Sequence, residues 1–308
     1  LNGKVYYGTY VSAVMYEYDP TQETVMNENP VMVFDIEHQD RPFAITSGDD
    51  RLFVGTVPDY GYLGGSLATY DDRTKEWKQF DHEDLVPNQS IIGLAYEDGY
   101  LYGSTTVWGG LGIDPSETEA VIFIWDAVQE KVVKKIKLSD LGLTIDEAPR
   151  MIGSLEFGPD GLLWGIADGT IFALDVSDLN EIRIAKQKMI NPSLYNSSKW
   201  MPYEIRFAPD GMLYTTLSRK LYAIDPETLQ YKLVYDGFVN SMTLGIDGTI
   251  YFAPEAGTNL SKIEIPETDA TLSDIRIDGT PVEAFTPGVT SYVLDGSEKG
   301  EVTATAAQ

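Results

Sequence analysis

One phrase recurs along this chain and leaves few architectures open: an apolar strand, a turn carrying Asp-Gly or its equivalent, then a second apolar strand. It reads "FAITSGDDRLFVGT" from Phe43, "IIGLAYEDGYLYGST" from Ile91 and "IGSLEFGPDGLLWGIA" from Ile152, and returns as "EIRFAPDGMLYTTL" from Glu204 and "SMTLGIDGTIYFAP" from Ser241. Asp-Gly between alternating strands is a strong hairpin signal, because glycine supplies the positive φ the turn needs. A third strand with an aromatic residue and a closing Asp follows, as in "SLATYDD", "VIFIWDA" and "KLYAIDP". A fourth, more polar strand completes the phrase in "EWKQFD", "KVVKKIKL" and "YKLVYDG".

Four antiparallel strands repeated roughly every 40 to 60 residues are the signature of a β-propeller blade. A β-sandwich is the alternative all-β arrangement, but it does not need the same four-strand phrase in the same order. The expected fold is therefore an all-β propeller over residues 1–267. Its first unit, residues 1–41, shows three strands and lacks the opening one; the last, residues 241–265, lacks the closing one. Six blades with irregular closure, or seven with part of the ring upstream of Leu1, both fit. The second is the expectation.

Composition narrows the partners. The formal net charge is -26, so phosphate backbones and anionic membranes are repelled and nucleic acid is not an expected ligand. There is no cysteine, which removes disulfides, thiolate metal sites and a thiol nucleophile and fits export without disulfide machinery. No apolar run is long enough to span a membrane. P-loop, GxGxxG, GxSxG and HExxH motifs are all missing.

After "IEIPETDA" the character changes. Residues 268–308 contain Leu-Ser-x-Ile-x-Ile-x-Gly, then Phe-x-Pro-Gly-x-Thr-Ser-Tyr, then Val-Thr-Ala-Thr-Ala. With Leu272, Gly279, Phe285, Pro287, Thr290, Ser291 and Tyr292 in place, this segment resembles the first half of a cadherin-like β-sandwich module. The resemblance implies a spacer or adhesion role in a secreted or cell-surface bacterial protein, with further domains of the same polypeptide beyond Gln308. The preceding repeats are similar in general terms to secreted bacterial propellers of the NHL-like, quinoprotein-like and polysaccharide-lyase kinds.

In a propeller, the loops joining second to third strands and one blade to the next emerge on the face opposite the Asp-Gly turns. Two of these hairpins are long: "VPDYGYLGGS" in blade two and "TVWGGLGIDPSETEA" in blade three, against "IADGT" and "LSRK" in blades four and five. The long pair match in aromatic-glycine character, Tyr60-Gly61, Tyr62 and Gly64-Gly65 against Trp108-Gly109-Gly110 and Gly112. They are expected to form a wall beside the channel mouth. Tyr60, Tyr62, Trp108 and Trp200 are candidate platforms for sugar rings, with Asp59 and Gln89 as polar partners. The glycines are expected to let backbone approach a ligand.

The interblade connections hold both histidines, His38 and His82, and place Arg41, Arg150 and Tyr203 near the innermost strands. A uronate lyase needs a cation to neutralise the substrate carboxylate and a His, Tyr or Lys base, which these five residues could supply. Structural roles compete: the histidines as solvated polar groups, the arginines paired with Asp40 and Asp146. A hydrolase would need two carboxylates, for which Asp59, Glu117 and Glu119 are available. No cofactor is expected, although the carboxylates of "DPSETEA" and "DHEDL" are candidate Ca²⁺ ligands. Two functions follow: an extracellular surface propeller that binds a polysaccharide or glycan on its loop-rich face, or a polysaccharide-degrading enzyme built on the same face.

Overall fold

Segments such as "IFIW" and "LWGIA" are continuous runs with no polar or charged side chain, the composition of strands covered on both faces. In the computed structural model, which describes residues 1–145, 147–190, 199–200, 203–254, 259–264, 272–282 and 302–306, they are the middle strands of antiparallel sheets packed face to face. The first compact unit, Leu1–Ile263, is a six-blade β-propeller. Blade one is β1 (Val5–Gly8), β2 (Val14–Tyr18) and β3 (Val31–Asp35). Blade two is β4 (Gln39–Gly48), β5 (Arg51–Pro58), β6 (Leu67–Asp71) and β7 (Trp77–Phe80). Blade three is β8 (Ser90–Glu97), β9 (Tyr100–Thr106), β10 (Ile122–Asp126) and β11 (Lys131–Ile136). Blade four is β12 (Ile152–Phe157), β13 (Leu163–Ala167), β14 (Thr170–Asp175) and β15 (Arg183–Met189). Blade five is β16 (Ile205–Phe207), β17 (Leu213–Leu217), β18 (Lys220–Ile224) and β19 (Tyr231–Tyr235), and blade six is β20 (Val239–Leu244), β21 (Ile250–Pro254) and β22 (Ser261–Ile263). The three-stranded end blades are those read from the repeat.

Alternation along each middle strand explains how the blades hold together. In β10, Phe123 and Trp125 face blade two, where they pack with Phe53 and Leu67. Ile122 and Ile124 face blade four and meet Ile152, Leu163 and Phe172. The same switch occurs in β14, whose Phe172 and Leu174 face blade three while Ile171 and Ala173 join Trp164 of their own blade and Leu213 and Ile224 of blade five. Because a strand has a period of two, an uninterrupted apolar run supplies both interblade cores at once.

The Asp closing each third strand has a local task. Asp71 accepts hydrogen bonds from the backbone N–H of Arg73 and Thr74, Asp126 from Val128 and Gln129, and Asp225 from Glu227 and Thr228. Such bonds tie the turn into the fourth strand. With the Thr228 hydroxyl contributing most at Asp225, they also stabilise the ionised form, so all three carboxyls lie below the usual carboxylate range.

The second unit, Glu264–Gln308, carries β23 (Leu272–Ile277), β24 (Thr280–Pro281) and β25 (Val302–Ala306). β23 turns into β24 through Asp278 and Gly279, both with positive φ, and pairs antiparallel with β25. Of the residues carrying the cadherin-like resemblance, Leu272 and Gly279 fall here; Phe285, Pro287, Thr290, Ser291 and Tyr292 lie outside the described residues.

The interblade aromatic cluster sets a stability test. Trp125 is fully buried, edge-on to both Phe53 and Phe80. Trp125→Ala is expected to cost about 3–5 kcal/mol in urea unfolding. Val128→Ala, at a position 83% exposed, should stay within about 0.5 kcal/mol.

Candidate functional site

The two long hairpins do meet, and they meet through backbone. Gly61 N donates to Leu111 O at 2.8 Å, and Gly110 N donates to Tyr62 O at 2.9 Å. A Cβ on Gly109 would run into Tyr62 O, and one on Gly110 into Asp59 O. These glycines therefore serve loop-to-loop packing, where the sequence suggested close approach to a ligand. Asp59 N in turn donates to His38 O at 3.1 Å, anchoring the wall to the blade one–two connection. With their backbones occupied, the loops present Tyr60 and Tyr62 outward, 54% and 63% exposed. The Tyr60 hydroxyl lies 3.0 Å from that of Tyr10, which extends the aromatic surface to blade one.

Beside this wall stands a ladder of cations and rings. The Arg41 guanidinium carbon is 4.4 Å from the centre of the Tyr10 ring and 5.0 Å from that of Trp200. Arg41 is also ion-paired with Asp40, which is buried, so its charge is met within the protein. The next residue back, Lys199, places Nζ 4.7 Å from the Trp108 ring centre, and the Arg150 guanidinium carbon lies at the same distance. Trp108, read from sequence as a sugar platform, is half-buried and carries two cations, each 4.7 Å from its ring centre. Lys199 was not apparent as a site residue from sequence, since it lies 91 positions from Trp108 along the chain.

The remaining candidates separate from this ladder. His38 and His82 share a hollow of about 340 Å³ with Glu37, Tyr62, Asp81 and Glu83. His82 Nδ1 accepts from Asn88 N at 3.1 Å, its Nε2 lies 3.3 Å from Glu83, and its ring packs where a Cβ on Gly64 would sit. Among the described residues no arginine or lysine lines that hollow, so the described histidines and arginines are not brought to one centre there. Tyr203 is only 3% exposed and packs against Gly153 in the core between blades four and five, with its carbonyl bonded to Ser154 N. Gln89 is buried too, donating to Glu119 O at 2.9 Å and accepting from the Thr105 hydroxyl. Both are structural here because the innermost strands leave their side chains between sheets. Glu117 accepts from Asn88 Nδ2 at 3.3 Å and Glu119 from Ser139 N at 3.3 Å. Asp146 lies outside the described residues. Among the described residues no group of three or more His, Asp or Glu is placed to hold a metal ion, so the Ca²⁺ expectation gains no support.

The channel interior holds what sequence reasoning passed over. A cavity of about 410 Å³ is lined by innermost-strand residues including Thr46, Ile92, Glu156, Glu204 and Arg206. Arg206 pairs with Glu156 at 2.9 Å, and Glu204 accepts the N–H of Met242. Burial pushes the Glu204 carboxyl up to about 7, against the pull of the Met242 N–H and the Arg206 charge. Burial likewise pushes Asp168, in the tight hairpin of blade four, up to about 6, with Glu147 adding repulsion. The sequence signal was there: "EIRF" puts Glu204 and Arg206 on either side of Ile205 at the start of an innermost strand.

No family model and no curated protein sequence matches the chain. Solved structures do. An extracellular domain from B. thetaiotaomicron, described as that of the hybrid two-component system BT3049, superposes with a TM-score of 0.58 at 14% identity, over 98% of this chain and 37% of that one. The extracellular domain of BT4673 from the same organism, described as a one-component system, gives 0.55 at 14%, over 86% and 32%. PorZ of Porphyromonas gingivalis, described as a surface component of the type-IX secretion system, gives 0.56 at 12%, over 86% and 39%. The chain thus spans about a third of the length of these structures. At such identities the likeness shows the fold.

Two tests follow from this geometry. Gly110→Ala forces a methyl group into Asp59 O and should destabilise the wall by about 1–3 kcal/mol. A Cβ on Gly112 meets nothing, so Gly112→Ala should cost only the positive-φ strain of about 1 kcal/mol. Differential scanning calorimetry of the pair reads the difference. Glu204 binds its proton more tightly folded than unfolded, so its burial weakens the protein as pH rises from the ordinary glutamate range through about 7. Glu204→Gln should accordingly match the parent near pH 4 and exceed it at pH 8 by an amount on the order of 3 kcal/mol, read by urea unfolding at both pH values.

Proposed function

We propose that this chain is an extracellular propeller of a bacterial surface protein, and that it binds a polysaccharide or glycan on the face carrying the two long hairpins. The observation that carries the reading is the exposed tyrosine surface of Tyr10, Tyr60 and Tyr62 on a wall fixed by backbone hydrogen bonds. Rigid aromatic rings bury apolar area against a sugar face at little entropic cost, while their hydroxyls bond at the rim. Two of the structural neighbours are extracellular domains and a third is a surface component, which supports the location. The cadherin-like resemblance of residues 268–308 supports it independently.

A polysaccharide-degrading enzyme is the second reading. Lyase chemistry needs a base and a cation at one carbon. Among the described residues no arginine or lysine lines the hollow holding His38 and His82, and the arginines stand at the aromatic ladder instead. Binding without bond cleavage is therefore the better-supported function.

Affinity electrophoresis against a panel of plant, algal and bacterial polysaccharides tests it. Retardation by at least one polysaccharide is expected, with Tyr60→Ala and Tyr62→Ala each weakening it by about tenfold, the equivalent of one aromatic contact of about 1.4 kcal/mol. Retardation unchanged in both variants would remove the tyrosine surface from the account. New absorbance of unsaturated uronate during incubation would favour the enzyme.

A further inference from the structure

Several partly buried cations in this acidic chain are met by carboxylates: Lys4 by Glu17, Arg41 by Asp40, Lys186 by Asp160 and Arg206 by Glu156. Arg150 and Lys199 instead share one aromatic ring. Neither has a carboxylate within ion-pairing distance among the described residues, although the chain carries 48 Asp and Glu against 22 Lys and Arg. Both sit 4.7 Å from the centre of one indole, so their charges are at most twice that distance apart and repel each other. The ring's quadrupole offsets part of this cost, but it is not a counter-charge.

The arrangement is also held in place. Val107 N donates to Arg150 O at 3.0 Å, the Thr106 hydroxyl donates to Lys199 O at 3.0 Å, and the Ser90 hydroxyl donates to Trp108 O at 2.7 Å. Each of the three side chains thus leaves a backbone tied to its neighbours. Trp200, adjoining Lys199, keeps its Nε1–H buried with no acceptor among the described residues. Two cations with no carboxylate partner among the described residues converge on one ring at the mouth of the face that carries the exposed tyrosines.

Building on the glycan-binding reading of this face, we propose that its ligand is an anionic glycan, and that Arg150 and Lys199 on Trp108 form the subsite for the sugar's carboxylate or sulfate group. The guanidinium offers a planar pair of donors to such a group, and the ammonium a point charge. The overall charge of -26 does not forbid it. At physiological ionic strength the field of the distant carboxylates is screened within about 8 Å, whereas two cations at the contact act directly on the bound group. Charge at the contact then discriminates: a neutral glycan leaves the two cations unpaired, and an anionic one pairs them.

Polygalacturonate and its methyl ester share a backbone and differ in charge, as do a sulfated galactan and its desulfated form. Affinity electrophoresis and isothermal titration with these four polymers test the proposal. The expected result is binding of at least one anionic polymer, at least tenfold weaker binding of its neutral counterpart, and a loss of tenfold or more in Arg150→Gln and in Lys199→Gln. Which anionic polymer binds separates carboxylate from sulfate. Lys78→Gln removes the same charge from an exposed pair with Glu130 on an outer strand and should leave binding unchanged. Far-UV circular dichroism establishes that each variant is folded. Equal binding of charged and neutral polymers, or anionic binding that survives both substitutions, would overturn the subsite and leave the glycan reading standing. Binding of none of the four, with retardation by other neutral polysaccharides, overturns the subsite in the same way. Failure across every polysaccharide removes both.

Discussion

Two backbones can approach to hydrogen-bonding distance with their flanks in contact only where no Cβ stands between them, and this propeller depends on that at two levels. Around the axis, a Cβ on Gly93 of β8 would strike Gly153 O of β12, so neighbouring innermost strands close on each other through glycine. At the mouth, Gly109 and Gly110 let the blade-three hairpin lie against Tyr62 and Asp59 of the blade-two hairpin. The first contact sets how tightly the sheets converge. The second turns two long loops, which would otherwise lose entropy separately, into one ordered surface. The exposed tyrosines are a consequence: with the backbones facing each other, the side chains face solvent.

Charge is distributed with the same economy. Acidic residues cover the surface, and several are consumed by the fold, as the turn aspartates are. Positive charge at the mouth is concentrated on aromatic rings, with Arg41 between Tyr10 and Trp200 and with Arg150 and Lys199 at Trp108. Arg41 is neutralised by Asp40 and belongs to the framework; the other two have no carboxylate partner among the described residues. Below them the channel holds the opposite arrangement, Glu156 and Glu204 around the single guanidinium of Arg206. The propeller axis therefore joins a cationic rim to a carboxylate-bearing interior.

Much of this was legible in the residues. The repeated hairpin phrase carried the blade order and the three-stranded end blades, because strand alternation and Asp-Gly turns are local properties. The pairing of "DYGYLGG" with "VWGGLG" was also readable, since matched loops on adjacent blades have nowhere else to go. Their glycines were legible as close-approach positions, but what they approach depends on tertiary geometry. Likewise Trp108 read as a platform because Lys199 comes from two blades away. Tyr203 and Gln89 read as channel residues because they precede the innermost strands β16 and β8, but a place beside a strand does not fix which way its side chain turns. Glu204 was written plainly just before β16, two positions from Arg206, and that pair of charges was the signal to follow.

The account stands or falls on the joined hairpins, and amide hydrogen exchange reads them directly. Gly61 N–H and Gly110 N–H belong to loops that would exchange at solvent-limited rates if they were independent. Bonded to Leu111 O and Tyr62 O, both amides should be protected by orders of magnitude and lose protection together. Exchange of both at the rate of an open loop would mean that the wall does not form and that the tyrosines have no fixed surface on which to act.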